Sequence, residues 1–289
     1  MYVKIGEIEN FDELPDYYNF SKPYVIRGGC RNMTAFKHDN VIEFFRDKLR
    51  NFSMDVEVYN TYQDMELTDV KKYERKKFND ASEHIVNNKK PYNFVADKDI
   101  RIYLEENDLT KFALPIDEKR TNDGILLFFG NNSRSGAHIH TNNDYVLNQI
   151  YGKKTIYMFD YYDNPLECAD FFSSRPNFLK DNIINIDHTN LKIYKVELST
   201  GDTLTIPPWW WHAAKTEGLS VSITKTYNRT DNRFLFKCPR IGFIVLKEFV
   251  LSLLENMYHF FTRKDIVMIL SINIVILSYY WLVLTPLKN

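Results

Sequence analysis

The chain has 289 residues, enough to bury a sizeable core without disulfides and to form one large domain or two small ones. Its 37 lysines and arginines stand against 38 acids, a formal net charge of −1, which argues against nucleic-acid binding through global charge. Aromatics at 15% with ten glycines and ten prolines exclude a collagen-like or disordered chain and suit a strand-rich core.

In chain order, the N-terminus carries Glu7 and Glu9 where a secretory signal needs an uninterrupted apolar stretch. Residues 22–28 read as a short apolar strand, entered through Pro23 and left through glycines. Asn40 is positioned to cap a helix whose apolar stripe is Ile42, Phe44, Phe45 and Leu49. The dense positive run of Lys71, Lys72, Arg75, Lys76 and Lys77 is expected as the solvated face of a helix, with a lipid-headgroup or substrate patch as the sharper alternative. From Ile125 the pattern turns to strands at 125–129, 137–140, 145–151, 155–159, 192–198, 203–206 and 219–227, with loop or helix across 161–172. Many short strands separated by turn signals predict a mainly β sandwich or barrel with the N-terminal helices packed outside. The expected folded domain is 1–232, with its barrel core at about 120–230. Cys30, Cys168 and Cys238 are far apart and form no CxxC pair, so they predict incidental thiols in a reducing compartment.

The C-terminus differs in character. Residues 266–284 carry no charge, and a helix of that length spans ~28 Å, close to the ~30 Å hydrocarbon thickness of a bilayer. Tyr279, Tyr280 and Trp281 sit at its distal end, where interfacial aromatics belong, and Arg263 and Lys264 precede it. The expectation is a single-pass tail anchor with the folded domain in the cytosol. Within 233–262, the stretch 241–261 is apolar but punctuated by Lys247, Glu248, Glu255 and His259, too polar to span. It is expected to pack on the domain or form a homodimer, with a position in the membrane interface as the alternative.

Two segments carry chemistry. In Ser135-Gly-Ala-His-Ile-His140, His138 and His140 are two apart and share one face of a strand. In Gly201-Asp-Thr-Leu-Thr-Ile-Pro-Pro-Trp-Trp-Trp-His212, a strand ends at two prolines and the tryptophans then position His212. Three histidines from non-adjacent strands, aimed at one point, can hold one face of a metal and leave positions open.

These segments, in this order, resemble the JmjC/cupin-like Fe(II)- and 2-oxoglutarate-dependent hydroxylases, in the asparaginyl-hydroxylase-like branch. The resemblance covers most of residues 16–230: Lys22-Pro-Tyr-Val-Ile-Arg-Gly28, then His138-Ile-His140 with Asn148-Gln149-Ile-Tyr-Gly152-Lys-Lys154, then the stretch ending at His212. It implies a double-stranded β-helix barrel, with the metal ligands at His138, His140 and His212. The second ligand is normally Asp or Glu, so His140 departs from the pattern, and Asp144 is the nearby substitute. The resemblance further implies Fe(II), 2-oxoglutarate as cosubstrate with Lys154 on its distal carboxylate and Ser135 assisting, and a protein side chain as substrate. Two other readings stand beside this one: a barrel that has lost its chemistry and serves as a membrane-bound scaffold, and a three-histidine dioxygenase that dispenses with 2-oxoglutarate.

Overall fold

The computed structural model describes residues 2–14, 21–58, 72–87, 92–96, 122–140, 143–160 and 192–228. The chain divides into two units, Met1–Thr230 and Asp231–Asn289. The second unit lies outside the described residues, and with it the expected packing helix at 233–262, the homodimer stretch 241–261 and the span 266–284. Cys168, Cys238 and the loop or helix at 161–172 also fall outside them. Among the described residues, no helix is long and apolar enough to cross a membrane.

The described part is mainly β, with few helices. Three long lines of chain form its frame. Strands β7 (Asn122–Asn131) and β8 (Arg134–His138) run end to end along one side of β12 (Trp210–Asn228), and β9 (Asn143–Asp160) lies along the other, all antiparallel to β12. Each line breaks at the same level. Asn132, between β7 and β8, has φ 50°, Gly152 in β9 has φ 76° and Gly218 in β12 has φ 72°. Asn132 and Gly218 are tied together: the Asn132 N–H donates to the Gly218 carbonyl at 2.9 Å and its Oδ1 accepts from the Gly218 N–H at 2.8 Å. A Cβ on Gly152 would lie 2.1 Å from the Leu219 carbonyl oxygen, so only glycine fits this crossing. One bend thus crosses the whole ribbon and divides it into a half carrying the histidines and a half carrying β7.

In the histidine half, β10 (Ile193–Leu198) pairs with the end of β9, and β1 (Tyr2–Val3) adds in parallel to β10. In the other half, β11 (Thr203–Ile206) pairs with the start of β9, followed outward by β3 (Tyr24–Ile26) and β2 (Gly6–Ile8). Beyond β7 lie β6 (Tyr92–Ala96), β4 (Ser53–Val58) and β5 (Lys72–Lys77), which completes a twelve-stranded sheet.

Among the described residues two α-helices cover one face of this sheet. Helix α1 (Val41–Lys48) starts where expected, with Asn40 Oδ1 accepting from the Ile42 and Glu43 N–H groups. Its Ile42, Phe44 and Phe45 join Phe78, Ala81 and Ile85 of α2 (Phe78–Val86) against Ile125, Leu127 and Phe129 of β7 and Val221 and Ile223 of β12. Phe78 meets Phe129 edge-on, with ring centroids 5.3 Å apart. Burial of rings like these contributes roughly 1.5–3 kcal/mol each. Strand alternation then sends Phe128, Ser222 and Thr224 to the opposite face, away from the helices.

Several expected elements change on folding. The basic run is not a helix: Lys72–Lys77 is strand β5, paired antiparallel with β4 at the sheet edge. Charge on an edge strand discourages pairing with another chain, and sheet pairing overrides the local helical reading. The strands read at 145–151 and 155–159 are one, because Gly152 bends β9 without ending it. The last strand begins at Trp210 rather than Leu219 and carries His212 within it. The strand read at 137–140 is Arg134–His138, which leaves His140 beyond its end.

Candidate metal centre

The turn before β12 is made by its own sequence. Pro208 precedes Trp209, which adopts φ 67°, the left-handed conformation that a type II turn demands at its third position. Glycine is the usual residue there, but here the side chain is an indole left only 2% exposed. The Trp209 N–H donates to the His140 carbonyl oxygen at 2.9 Å, so the turn that delivers one histidine also holds another. Trp210 packs edge-on against Tyr194 at 5.2 Å, and Trp211 stacks on Phe159 at 5.7 Å. All three tryptophans are buried.

His212 registers opposite His138 on one side and Met158 of β9 on the other. The ring centroids of His138 and His212 are 4.2 Å apart, those of His138 and His140 5.0 Å, and those of His140 and His212 5.1 Å. One nitrogen from each of the three lies within 4.8 Å of the others. His212 is buried while His138 and His140 are half-buried, so the cluster is anchored on one side and open on the other. His212 Nδ1 lies 3.0 Å from the Trp210 carbonyl; with the proton donated there, Nε2 keeps its lone pair for a ligand bond.

Electrostatics favour the metal-binding form of the rings. Burial, and secondarily the neighbouring His138, pushes His140 down to about 3. Burial, then His138 and His140, holds His212 well below the ordinary imidazole range. Both rings are therefore neutral near pH 7, as metal ligation requires. Three imidazoles on one open face fit Fe(II), and the same donor type suits zinc, copper and nickel.

The remaining expected residues fall differently. Asp144 is not in the cluster. Its neighbour Tyr145 stacks on His140, at 3.9 Å between centroids and 15° between planes, so strand alternation turns Asp144 to the other face of β9. There Asp144 registers with Tyr227, whose ring packs with Val146, Phe11, Leu14 and Ile26. Ser135 Oγ accepts the Ala214 N–H at 3.0 Å, which stitches β8 to β12 two residues beyond His212. Lys154 is buried at the bend; it donates to Ser222 Oγ, and its ammonium lies 5.2 Å from the centre of the Phe128 ring. Burial pushes Lys154 down to about 7, and among the described residues it has no ion-pair partner. Thr224 Oγ1, two residues along from Ser222 on the same face, is buried without a hydrogen-bond partner.

Sequence reasoning missed Tyr145, Phe128 and Ser222. The alternation Ser220-Val-Ser222-Ile-Thr224-Lys-Thr226 announces a polar face on β12, but Lys154 registers with Thr216, beyond the bend, and only the folded sheet brings its side chain to Ser222.

A family model described as a cupin-like domain matches residues 11–233. No curated protein matches the sequence. Among solved structures, YcfD from Escherichia coli aligns over 86% of this chain and 59% of its own, with 14% identity and a TM-score of 0.49. A second YcfD structure, described as a ribosomal oxygenase, aligns over 85% of this chain and 58% of its own, with 13% identity and a TM-score of 0.48. The chain thus spans less than two thirds of the solved chains it matches.

Proposed function

Because the chain belongs to the cupin-like domain family, we propose that it is an Fe(II)- and 2-oxoglutarate-dependent oxygenase that hydroxylates a protein side chain, built on a double-stranded β-helix. The observation that carries this reading is the three-histidine cluster together with a buried Lys154 that has no ion-pair partner among the described residues. Bound Fe(II) with 2-oxoglutarate and dioxygen would supply the oxidising power for C–H hydroxylation, with succinate and carbon dioxide as co-products.

The chain's own residues do the rest. His138, His140 and His212 hold the metal, and the Trp210 carbonyl sets the tautomer of His212. Lys154 holds the distal carboxylate of the cosubstrate, oriented by Ser222 and backed by Phe128. A carboxylate beside the ammonium favours its charged form and offsets the desolvation that lowers its pKa in the free protein. The buried tryptophans keep water from the rear of His212. Ser135 braces β8 against β12 through the Ala214 N–H. The protein substrate rests on the sequence resemblance.

A three-histidine dioxygenase acting without 2-oxoglutarate would satisfy the donor set, but it gives Lys154 no role. A scaffold without chemistry leaves both the cluster and Lys154 without one. For placement, the uncharged length of 266–284 and the preceding Arg263 and Lys264 support a membrane anchor with the metal centre on the cytosolic side.

The test is anaerobic loading of the full-length protein with Fe(II) and 2-oxoglutarate, followed by exposure to dioxygen. Succinate should form, and His138→Ala should abolish it. No succinate and no 2-oxoglutarate binding by metal-replete protein would end the proposal. Asn32-Met-Thr34 and Asn51-Phe-Ser53 are glycosylation sequons, and glycan addition at either in cells would overturn the cytosolic orientation.

A further inference from the structure

We infer that Tyr145, assisted by the Trp209 backbone, is a positioning residue built to present a histidine as the second ligand, so that the centre is constructed around three imidazoles. The inference rests on the reading that the cluster holds a metal. It bears on the departure at His140, which on sequence alone could equally be the relic of a lost carboxylate.

Four observations support it. His140 lies two residues past the end of β8, so no strand pairing holds it. In place of a ladder, and besides the neighbouring rings of His138 and His212, it has one contact to its ring and one to its backbone. The ring contact is the near-parallel Tyr145 stack, 3.9 Å between centroids and 15° between planes. Such a stack needs a planar ring on both sides; a carboxylate presents no matching aromatic face. The platform is also fixed in place: Tyr145 registers with Ile206 of β11 on one side of β9 and Thr226 of β12 on the other. The backbone contact is the Trp209 N–H on the His140 carbonyl, made by a non-glycine residue at φ 67°. A left-handed conformation at a buried tryptophan costs on the order of 1–3 kcal/mol and persists only where its surroundings demand it. Together these contacts set both the depth and the plane of the His140 ring, as an outer-shell partner of a metal ligand must.

The experiment titrates Co(II), a spectroscopic stand-in for Fe(II), into the full-length protein under nitrogen, reading both affinity and ligand-field bands. Tyr145→Leu removes the stacking face and should weaken Co(II) binding about tenfold or more, the usual effect of losing an outer-shell partner, and shift the bands. Its far-UV circular dichroism and cooperative melting should stay those of the parent. Tyr145→Phe restores a ring and should return affinity to within about threefold of the parent, with the parent bands. Should Tyr145→Leu fail to fold, Tyr145→Met carries the same expectation. A parent-like affinity and spectrum in the leucine or methionine variant would overturn the inference, as would a phenylalanine variant no better than leucine. Failure of the underlying reading looks different: the parent protein then takes up no Co(II), or His138→Ala leaves uptake unchanged, and the positioning role falls with it.

Discussion

Replacing Lys154 by methionine should make the ligand-free protein more stable while abolishing its hold on a dicarboxylate. Methionine matches the lysine stem in length and apolarity and removes the charge. In the free protein, burial moves Lys154 from its ordinary value to about 7. At about 1.4 kcal/mol per pH unit, that displacement costs the fold on the order of 4 kcal/mol at pH 7. Against this, the variant loses the bond to Ser222 and leaves a buried hydroxyl without its donor, at about 1–3 kcal/mol. The net expectation is a gain of about 1–3 kcal/mol, or roughly 3–8 °C in Tm for a domain of this size. The pH dependence identifies the cause. Between about pH 7 and 10 the unfolded chain keeps a proton that folded Lys154 has released, so wild-type stability rises with pH across that window. Methionine removes that slope, and the advantage of Lys154→Met should shrink steadily from pH 7 to pH 10. The assay is denaturant unfolding of both proteins at several pH values, repeated with metal and 2-oxoglutarate, which should stabilise the parent far more than the variant. A variant less stable at pH 7, or one whose advantage does not change with pH, would refute the reasoning.

Three further outcomes follow from the fold. Gly152→Ala, whose Cβ would sit 2.1 Å from the Leu219 carbonyl, should cost at least about 3 kcal/mol in urea unfolding, whereas Gly218→Ala, equally left-handed but with open space around it, should cost only about 1–2 kcal/mol; equal losses would contradict the bend as described. Asn40→Ala should lower stability by about 1 kcal/mol through loss of the α1 cap, with α1 contacts otherwise unchanged, as chemical denaturation would report. Cys30 is buried and its thiol is pushed up to about 12, chiefly by desolvation, so a thiol reagent should label it in denaturant but not in native protein, as peptide mass spectrometry would show.

What the sequence determined by itself was local. The Asn40 cap is legible because a capping side chain acts on N–H groups two and three residues away. His138, His140 and His212 are legible as candidates because two lie at strand spacing and the third follows a strand that ends at two prolines and three tryptophans. The tertiary structure decided everything that depends on register between distant strands. It turned Asp144 away from the histidines, because Tyr145, one residue on, had to face them. It brought Ser222 and Phe128 to Lys154 across three strands, and it made the basic run 72–77 a sheet edge instead of a helix. It also set the common bend at Asn132, Gly152 and Gly218, three residues whose left-handed backbones make sense only side by side. The physical reason is that strand alternation repeats every two residues: one added residue at a bulge exchanges the faces of all that follows, and a bulge is a property of the pair of strands that share it.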